Sequence, residues 1–279
     1  ASLPYDEGYV GSVLARTCNS RMARMTMQAV AFVAASVLGL AQAVPLKYAR
    51  TSSSAPASAK ADFGFDYLHL VQEWPGSFCD TKKGCLWPTN EPTKGFLLHG
   101  LWPEFFNGTW PEYCDPAAPF NMTALSDLED DLHTYWPSLM SPDQASFWAH
   151  EWTRHGTCME PFFTSSAAKE HDFFALTLKL REGFDAFAML SSKGIGPAST
   201  TSWEAVKMAL EGTYGHKVEV GCNFDKAGKR QLLEVRTCYQ PVLGKIEAID
   251  CPNEGSAVQC GSPTAPIVIP PFHPALYSK

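Results

Sequence analysis

The distribution of cysteine constrains this chain more than any other feature of its 279 residues. Eight of the nine cysteines lie between Cys79 and Cys260, and only Cys18 lies outside that region. An even number of cysteines in the body of a chain favours a disulfide framework, provided that the chain enters an oxidising compartment. The cysteines form no C-x-x-C pair and no repeated Cys/His cluster, so their pattern does not suggest a zinc site.

Residues 22–43 have the pattern of a secretory signal peptide. Arginines at 21 and 24 precede a short apolar run at 29–40, and Ala41-Gln42-Ala43 matches an A-x-A cleavage site. A run of about a dozen residues is too short to span a bilayer, which needs roughly 20, and a buried helix is the alternative. We therefore expect a mature protein without a membrane span, secreted or held in a vacuole or lysosome-like compartment.

Composition indicates a globular protein; the length allows one large domain or two small ones, and the lack of another linker after residue 61 favours one. A hydrophobic share of 45% and a charged share of 18% suit a chain with a substantial core. The formal net charge of −7 argues against a protein that coats long nucleic acids, because such binding needs many Lys and Arg residues. We divide the chain into an upstream segment of doubtful status (1–21), the signal peptide (22–43), a linker or pro-segment (44–61), one domain (62–270) and a C-terminal tail (271–279).

The hydrophobic periodicity predicts an α+β fold. Strands are predicted at 63–74 and 95–99, with His99 at the C-terminal end of the second. The remaining predicted elements are a helix at 126–135, a helix from Ser141-Pro142-Asp143 to Gly156, helices at 169–190 and 203–210, and a hairpin of 217–223 and 231–239 that turns at 225–228. Because strands and helices do not alternate regularly, we expect a mostly antiparallel central sheet flanked by helices.

The segment His150-Glu151-Trp152-Thr153-Arg154-His155 places several functional groups on one predicted helix. Residues four apart are neighbours on a helix, so we expect His150 to meet Arg154 and Glu151 to meet His155. A zinc protease would need histidines at i and i+4, whereas these lie at i and i+5, rotated by roughly 140° about the helix axis. The spacing therefore disfavours a shared metal, and a helix with structurally satisfied histidines is the remaining alternative.

A third histidine follows in the segment Phe96-Leu97-Leu98-His99-Gly100-Leu101-Trp102-Pro103. A lone histidine at a strand end is a weak signal. Together with the two histidines of the helix, however, His99 gives three imidazoles. Two of them can serve as general base and general acid in one phosphoryl transfer.

The two segments FLLHGLWPE and FWAHEWTRHGTC resemble the two active-site motifs of the ribonuclease T2 family. The resemblance extends from Asp66 to Ile269 and covers most of residues 62–270. It implies a disulfide-stapled fold of that family. It also implies a monomeric endoribonuclease without metal or cofactor that cleaves single-stranded RNA to 2′,3′-cyclic phosphate ends and then to 3′-phosphates. Base specificity should be low, and DNA, which lacks the 2′-hydroxyl, should not be cleaved.

The resemblance also implies roles for single residues. His155 would be the general base, His99 the general acid and His150 a phosphate ligand, while Glu151 and Arg154 would stabilise the pentacovalent phosphorus. The family usually has Lys where this chain has Arg154, and we expect activity to survive the change. Bases would be bound by Trp102, Glu104, Trp110 and, in a second site, Phe147.

The family's disulfide pattern implies the pairs Cys79–Cys85, Cys114–Cys158, Cys222–Cys260 and Cys238–Cys251. Leu86 and Leu139 stand where plant relatives often have a further bridge, so both of its cysteines are absent together. Asn107 and Asn121 begin glycosylation sequons, although Asn121 is also suited to cap the following helix.

A second hypothesis is a family member that serves recognition or storage, with cleavage lost or incidental. Retention of His99, His150, Glu151 and His155 argues against it, because a protein without catalysis need not keep all four.

Overall fold

A computed structural model describes residues 62–86, 95–163, 166–242, 245–252 and 259–271, which all fall in one compact unit. The predicted upstream segment, signal peptide and linker lie outside the described residues, as does the tail beyond residue 271. None of the helices in the described ranges has the length and hydrophobicity needed to cross a bilayer.

A seven-stranded sheet forms the centre of the described domain, and its pairing is antiparallel except for one contact. The strands are β1 Tyr67–Glu73, β2 Leu97–Glu104, β3 Ser199–Ser202, β4 Glu219–Phe224, β5 Arg230–Val242, β6 Lys245–Ile249 and β7 Pro266–Ile269. The long strand β5 pairs antiparallel with β1, β4 and β6 and parallel with β7, while β2 lies at the edge next to β1. The predicted α+β class and the predicted hairpin are therefore confirmed.

The helices pack on this sheet. They are α1 Pro75–Cys79, α2 Glu129–Tyr135, α3 Gln144–Arg154, α4 Lys169–Glu182, α5 Ala186–Ser191 and α6 Trp203–Tyr214, with 3-10 turns at Met122–Leu125 and Gly156–Met159. The prediction of a single helix at 169–190 is wrong, because the first helix ends at Glu182 and a second begins at Ala186. Gly183 ends α4, and the Asp185 carboxylate accepts a hydrogen bond from the Ala188 N–H at 3.0 Å, which starts α5.

Helix α3 is fixed to the edge of the sheet by two buried tryptophans. Trp148 and Trp152 pack in a cluster with Leu68 and Leu70 of β1, and the Trp148 indole donates a hydrogen bond to the Trp136 carbonyl at 2.8 Å. Burial of a large apolar side chain stabilises a fold by about 1.5–3 kcal/mol. These anchors hold one face of α3 in the core and leave its polar stripe beside β2.

Strand β2 contains a bulge at His99. Val71 of β1 lies opposite Gly100 and the next residue, Gln72, lies opposite Leu98, so His99 is the extra residue. The strand then runs on to Glu104, which corrects the expectation that His99 ends it. Pro103 does not stop the strand, because an edge strand tolerates a proline that donates no hydrogen bond. A bulge redirects its side chain, and here it places the imidazole in a cleft.

Gly156 lies directly after α3, at a position where a glycine commonly ends a helix. Its backbone does not adopt the left-handed conformation of a helix C-terminal glycine but begins a 3-10 turn. A Cβ atom there would overlap the Trp152 ring and lie 3.1 Å from Phe173. Close packing therefore selects glycine at this position.

Four disulfides join the pairs implied by the family pattern, namely Cys79–Cys85, Cys114–Cys158, Cys222–Cys260 and Cys238–Cys251. Leu86 and Leu139, which replace the ends of a further bridge, are also adjacent, since the Leu86 N–H donates to the Leu139 carbonyl at 2.8 Å. Cys114–Cys158 connects the loop after β2 to the turn that follows α3.

Replacing both Cys114 and Cys158 by Ala should lower the free energy of unfolding by about 4 kcal/mol, because this bridge closes a loop of 44 residues. The same change at Cys79 and Cys85, which are 6 residues apart, should lower it by about 2 kcal/mol. Urea unfolding of the two variants measures the difference. Equal losses would show that strain or local packing, rather than loop length, sets the contribution.

Candidate active site

A cleft of about 330 Å³ lies between strand β2 and helix α3. Its lining contains eight of the nine residues predicted to act in catalysis or base binding, and one residue that was not predicted, Arg236. The eight predicted residues are His99, Trp102, Glu104, Trp110, His150, Glu151, Arg154 and His155. Phe147 does not line the cleft, because its side chain packs against the buried cluster that contains Trp148 and Trp152. A role for Phe147 in a second base site stays a prediction.

His99 is held between two carboxylates of the sheet. Its Nδ1 lies 3.3 Å from Glu234 Oε1 and 3.7 Å from Glu73 Oε2, and its side chain is 33% exposed. Burial by itself would lower the pKa of His99, but the hydrogen bond to Glu234 and the charges of Glu73 and Glu151 outweigh it and raise the pKa to about 9. His99 is therefore an imidazolium at neutral pH.

Glu234 is in turn held by Arg236. The Arg236 guanidinium contacts one oxygen of Glu234 through Nη2 at 2.8 Å and through Nε at 3.3 Å. Burial would raise the pKa of Glu234, but the hydrogen bond to His99 and the charge of Arg236 lower it to about 2. The carboxylate thus stays ionised and fixes both the charge and the orientation of His99.

His155 has the opposite environment. It caps the C-terminal end of α3, is buried, and has a Nδ1 atom that makes no hydrogen bond to the described residues. Burial, together with the positive charges of Arg154, His150 and His99, lowers the pKa of His155 to about 3. His155 is therefore a neutral imidazole that can accept a proton.

Trp102 lies between the two histidines. Its ring stacks on His155 with centroids 5.4 Å apart, and it meets the ring of His99 edge-on at 4.8 Å. Its indole N–H also donates to Glu151 Oε2 at 3.4 Å. Trp102 consequently fixes the spacing of the two imidazoles, and base stacking by the same ring stays a prediction.

Glu151 does not pair with His155 as the helical spacing predicted. The carboxylate is directed to Trp102, and no hydrogen bond or ion pair joins it to His155 in the described part of the chain. The difference arises because α3 ends at Arg154, so His155 leaves the regular helix. Burial raises the pKa of Glu151 to about 7, although the charge of His99 and the Trp102 hydrogen bond oppose the shift.

Arg154 and His150 lie at the open side of the cleft. Arg154 Nε donates to Glu112 Oε2 at 3.0 Å, in an ion pair whose partners are both more than a third exposed. His150 is largely exposed. The burial of the remaining part of its side chain and the charge of Arg154 lower its pKa. The cleft therefore presents a guanidinium and an imidazole to any anion that enters it.

The sequence prediction missed Glu73, Glu112, Glu234 and Arg236. Glu73 contributes a further buried carboxylate, whose pKa burial raises to about 7 against the opposing charge of His99. Glu73, His99 and Glu234 each offer one ligand atom, and the three atoms lie within 4.8 Å of one another, a spacing that suits a cation. The proton on His99 Nδ1 would compete with a cation for this site. The signal available in the sequence was a charged residue within a strand rich in apolar residues, such as Glu73 in β1 and Glu234 in β5.

Three further residues with predicted roles are exposed. Trp110 is 53% exposed at the cleft rim, where an aromatic ring is accessible for stacking. Asn107 and Asn121 are both exposed. Asn121 also caps the 3-10 turn at Met122, since its side chain accepts from the Thr123 N–H at 3.1 Å.

A sequence profile of the ribonuclease T2 family matches residues 65–251. The chain belongs to the ribonuclease T2 family. Intracellular ribonuclease LX of Solanum lycopersicum is 36% identical over 203 residues, which cover 71% of this chain and 82% of that protein. Extracellular ribonuclease LE of the same plant is 36% identical over 193 residues, which cover 67% of this chain and 81% of that protein.

The solved structure of RNase NT in complex with 5′-AMP is also similar, with a TM-score of 0.66 and 35% identity, and the match covers 75% of this chain and 99% of that chain. The ribonuclease T2 fold and motifs make this chain an endoribonuclease of the same type. RNA is its substrate class.

Replacing Gly100 by Ala should reduce kcat of this ribonuclease by about 100-fold, because displaced catalytic groups lose rate steeply. A Cβ atom at Gly100 would overlap Glu151 Oε2 and Trp102 Nε1. The matched control is Gly212→Ala in α6, where a Cβ atom meets nothing within 4 Å. Steady-state cleavage of RNA by folded samples of both variants tests the expectation, and normal kcat in Gly100→Ala would contradict it.

Replacing Glu234 by Gln should move the alkaline limb of the kcat/KM profile to lower pH. The negative charge that holds the proton on His99 is lost, so the pKa of His99 falls. Glu247→Gln, on the neighbouring strand β6 and paired with Lys245, is the control and should leave the limb in place. An unchanged limb in Glu234→Gln would show that Glu234 does not set the charge of His99.

Proposed function

We propose that this ribonuclease cleaves single-stranded RNA by transphosphorylation, with His155 as the general base and His99 as the general acid. The observation that supports these roles is the contrast between the surroundings of the two imidazoles on either side of Trp102. Carboxylates raise the pKa of His99, whereas burial and positive charges lower the pKa of His155. Two titratable groups whose environments move their pKa values apart are suited to act as acid and base in one reaction.

In the first step, neutral His155 takes the proton of the ribose 2′-hydroxyl, and the 2′-oxygen attacks the adjacent phosphorus. The bond from phosphorus to the 5′-oxygen breaks as His99 donates a proton to that oxygen, which leaves a 2′,3′-cyclic phosphate end. Water then opens the cyclic phosphate to a 3′-phosphate with the proton transfers reversed.

Arg154 and His150, which both line the cleft, would bind the phosphate, and Arg154 would add a fixed positive charge for the non-bridging oxygens. Glu151 lies within hydrogen-bond reach of Trp102 and close enough to His99 to affect its charge. It supports the acid and the indole from the helix side of the cleft.

The mechanism requires no metal, because the substrate supplies the nucleophile and the two histidines move the protons. DNA lacks the 2′-hydroxyl and would not be cleaved. We further propose low base specificity from stacking on Trp102 and Trp110, a monomeric enzyme, and entry into the secretory pathway with glycosylation at Asn107 and Asn121. The disulfides are consistent with an oxidising compartment.

His99→Ala and His155→Ala should each lower kcat/KM for RNA by roughly 100- to 10,000-fold, the usual contribution of general acid–base catalysis. Wild-type cleavage should persist in EDTA and should fail on an oligonucleotide with a 2′-deoxy residue at the cleavage site. Product ends are identified by mass spectrometry. Loss of activity in EDTA with recovery on adding a divalent cation would contradict the mechanism, and His133→Ala, outside the cleft, is the control.

The pH profile should be broad. Activity needs neutral His155 and protonated His99, so kcat/KM should rise as the pH increases through about 3 and fall as it passes about 9. Cleavage rates measured across this range on short RNA test the assignment. A profile that falls already between pH 6 and 7 would show that His99 is not held as an imidazolium.

A further inference from the structure

A buried histidine of strand β1 lies behind Glu104. The His69 side chain is 4% exposed, its Nδ1 lies 3.5 Å from Glu104 Oε1, and its Nε2 lies 3.4 Å from Glu219 Oε1. Neither contact has the geometry of a good hydrogen bond, so both are ion-pair contacts. The edge of the Tyr67 ring covers the imidazole, with ring centroids 5.0 Å apart.

This arrangement favours a doubly protonated His69. A neutral imidazole has one N–H donor and one lone pair, and the lone pair would face a carboxylate oxygen. An imidazolium has an N–H for each of the two carboxylates. Cys238 and Cys251, which lie beside His69 and Glu219, form a disulfide, so this group of residues does not provide thiolate ligands for a metal.

Glu104 connects this buried group to the cleft. Its side chain is 13% exposed and lines the cleft beside Trp102 and Trp110. In the described part of the chain, His69 is the side chain that forms an ion pair with the Glu104 carboxylate. Because each carboxylate oxygen has two lone pairs, Glu104 can accept from His69 and still accept hydrogen bonds from a base in the cleft.

We propose that His69 is a positioning residue that holds Glu104 as a fixed carboxylate acceptor and so adds a limited preference for guanine to the base-tolerant stacking on Trp102 and Trp110. Guanine has two adjacent donors, N1–H and N2–H, on the edge that meets a carboxylate. Uracil offers one N–H between two carbonyl oxygens, and adenine and cytosine place a ring lone pair beside their amino group. This inference rests on the proposed function, in which the cleft binds RNA bases.

The test compares kcat/KM for dinucleotides that carry guanosine, inosine or uridine in turn on each side of the scissile phosphate. Inosine lacks only the N2 amino group, and wild-type enzyme should prefer guanosine to inosine by about tenfold, the effect of one hydrogen bond to a charged group. Glu104→Gln should abolish the preference, because the amide replaces an acceptor oxygen with a donor.

His69→Phe should reduce the guanosine preference severalfold while leaving cleavage of the uridine substrate within about twofold. His69→Gln, which can still donate to one carboxylate, should restore part of the preference. The double variant His69→Phe with Glu104→Gln should match Glu104→Gln alone, because His69 acts through Glu104. Glu219→Gln is the matched control and should keep the preference, since the contact between His69 and Glu104 remains.

Equal losses for all three substrates in both His69 variants, with lowered thermal stability, would show a structural role only and overturn the inference. An unchanged guanosine preference in folded His69→Phe would overturn it as well. Failure of the wild-type enzyme to cleave any of the substrates would instead contradict the proposed function, so the two failures are distinguishable.

Discussion

The proposed chemistry of this fold depends on keeping one histidine of the cleft protonated and the other neutral. The sheet supplies negative charge to His99 through Glu73 and Glu234, and the end of helix α3 surrounds His155 with the positive charges of Arg154 and His150. Trp102 stands between the two rings and keeps them apart. Because the two environments come from different elements, the sheet and α3 must be fixed relative to each other, which the buried Trp148 and Trp152 accomplish.

The floor of the cleft carries charges of both signs on one face of the sheet. Glu219 lies directly opposite Arg236, which holds Glu234, and Glu234 holds His99. Buried charges are tolerated when they are paired, and removal of one partner is strongly destabilising. A slip of β5 by one residue would turn its charged side chains to the apolar face. The bridges from Cys222 on β4 and Cys238 on β5 oppose such a slip, so the disulfide framework protects the electrostatics of the site as well as its stability.

How much of this site the sequence predicts depends on how local each contact is. The polar stripe of α3 follows from helical spacing, and His99 and Trp102 follow from one short segment, so these residues were predicted together with the mostly antiparallel sheet. Glu73 meets His99 through the register of β1 against β2. Glu234 and Arg236 reach it only through the register of β5 against β1, between segments roughly 160 residues apart in the chain. Periodicity within one strand does not contain that register. The bulge at His99 and the break after Glu182 were missed for a related reason, since neighbouring elements, rather than local propensity, decide both.

Arg154 shows how a departure from the family pattern fits its surroundings. The loop after β2 is tied to the end of α3 by the Cys114–Cys158 bridge, by the Tyr113 N–H that donates to the Arg154 carbonyl, and by the ion pair of Glu112 with Arg154 Nε. A guanidinium can bind a carboxylate through Nε and still direct its two terminal nitrogens to a phosphate, because its donors point in different directions. The ammonium of a lysine is a single point that would have to lie between Glu112 and the phosphate. Arginine at this position therefore lets one side chain anchor the loop and also face the phosphate in the proposed mechanism. The ion pair with the exposed Glu112 gives a physical reason for arginine where the family usually has lysine.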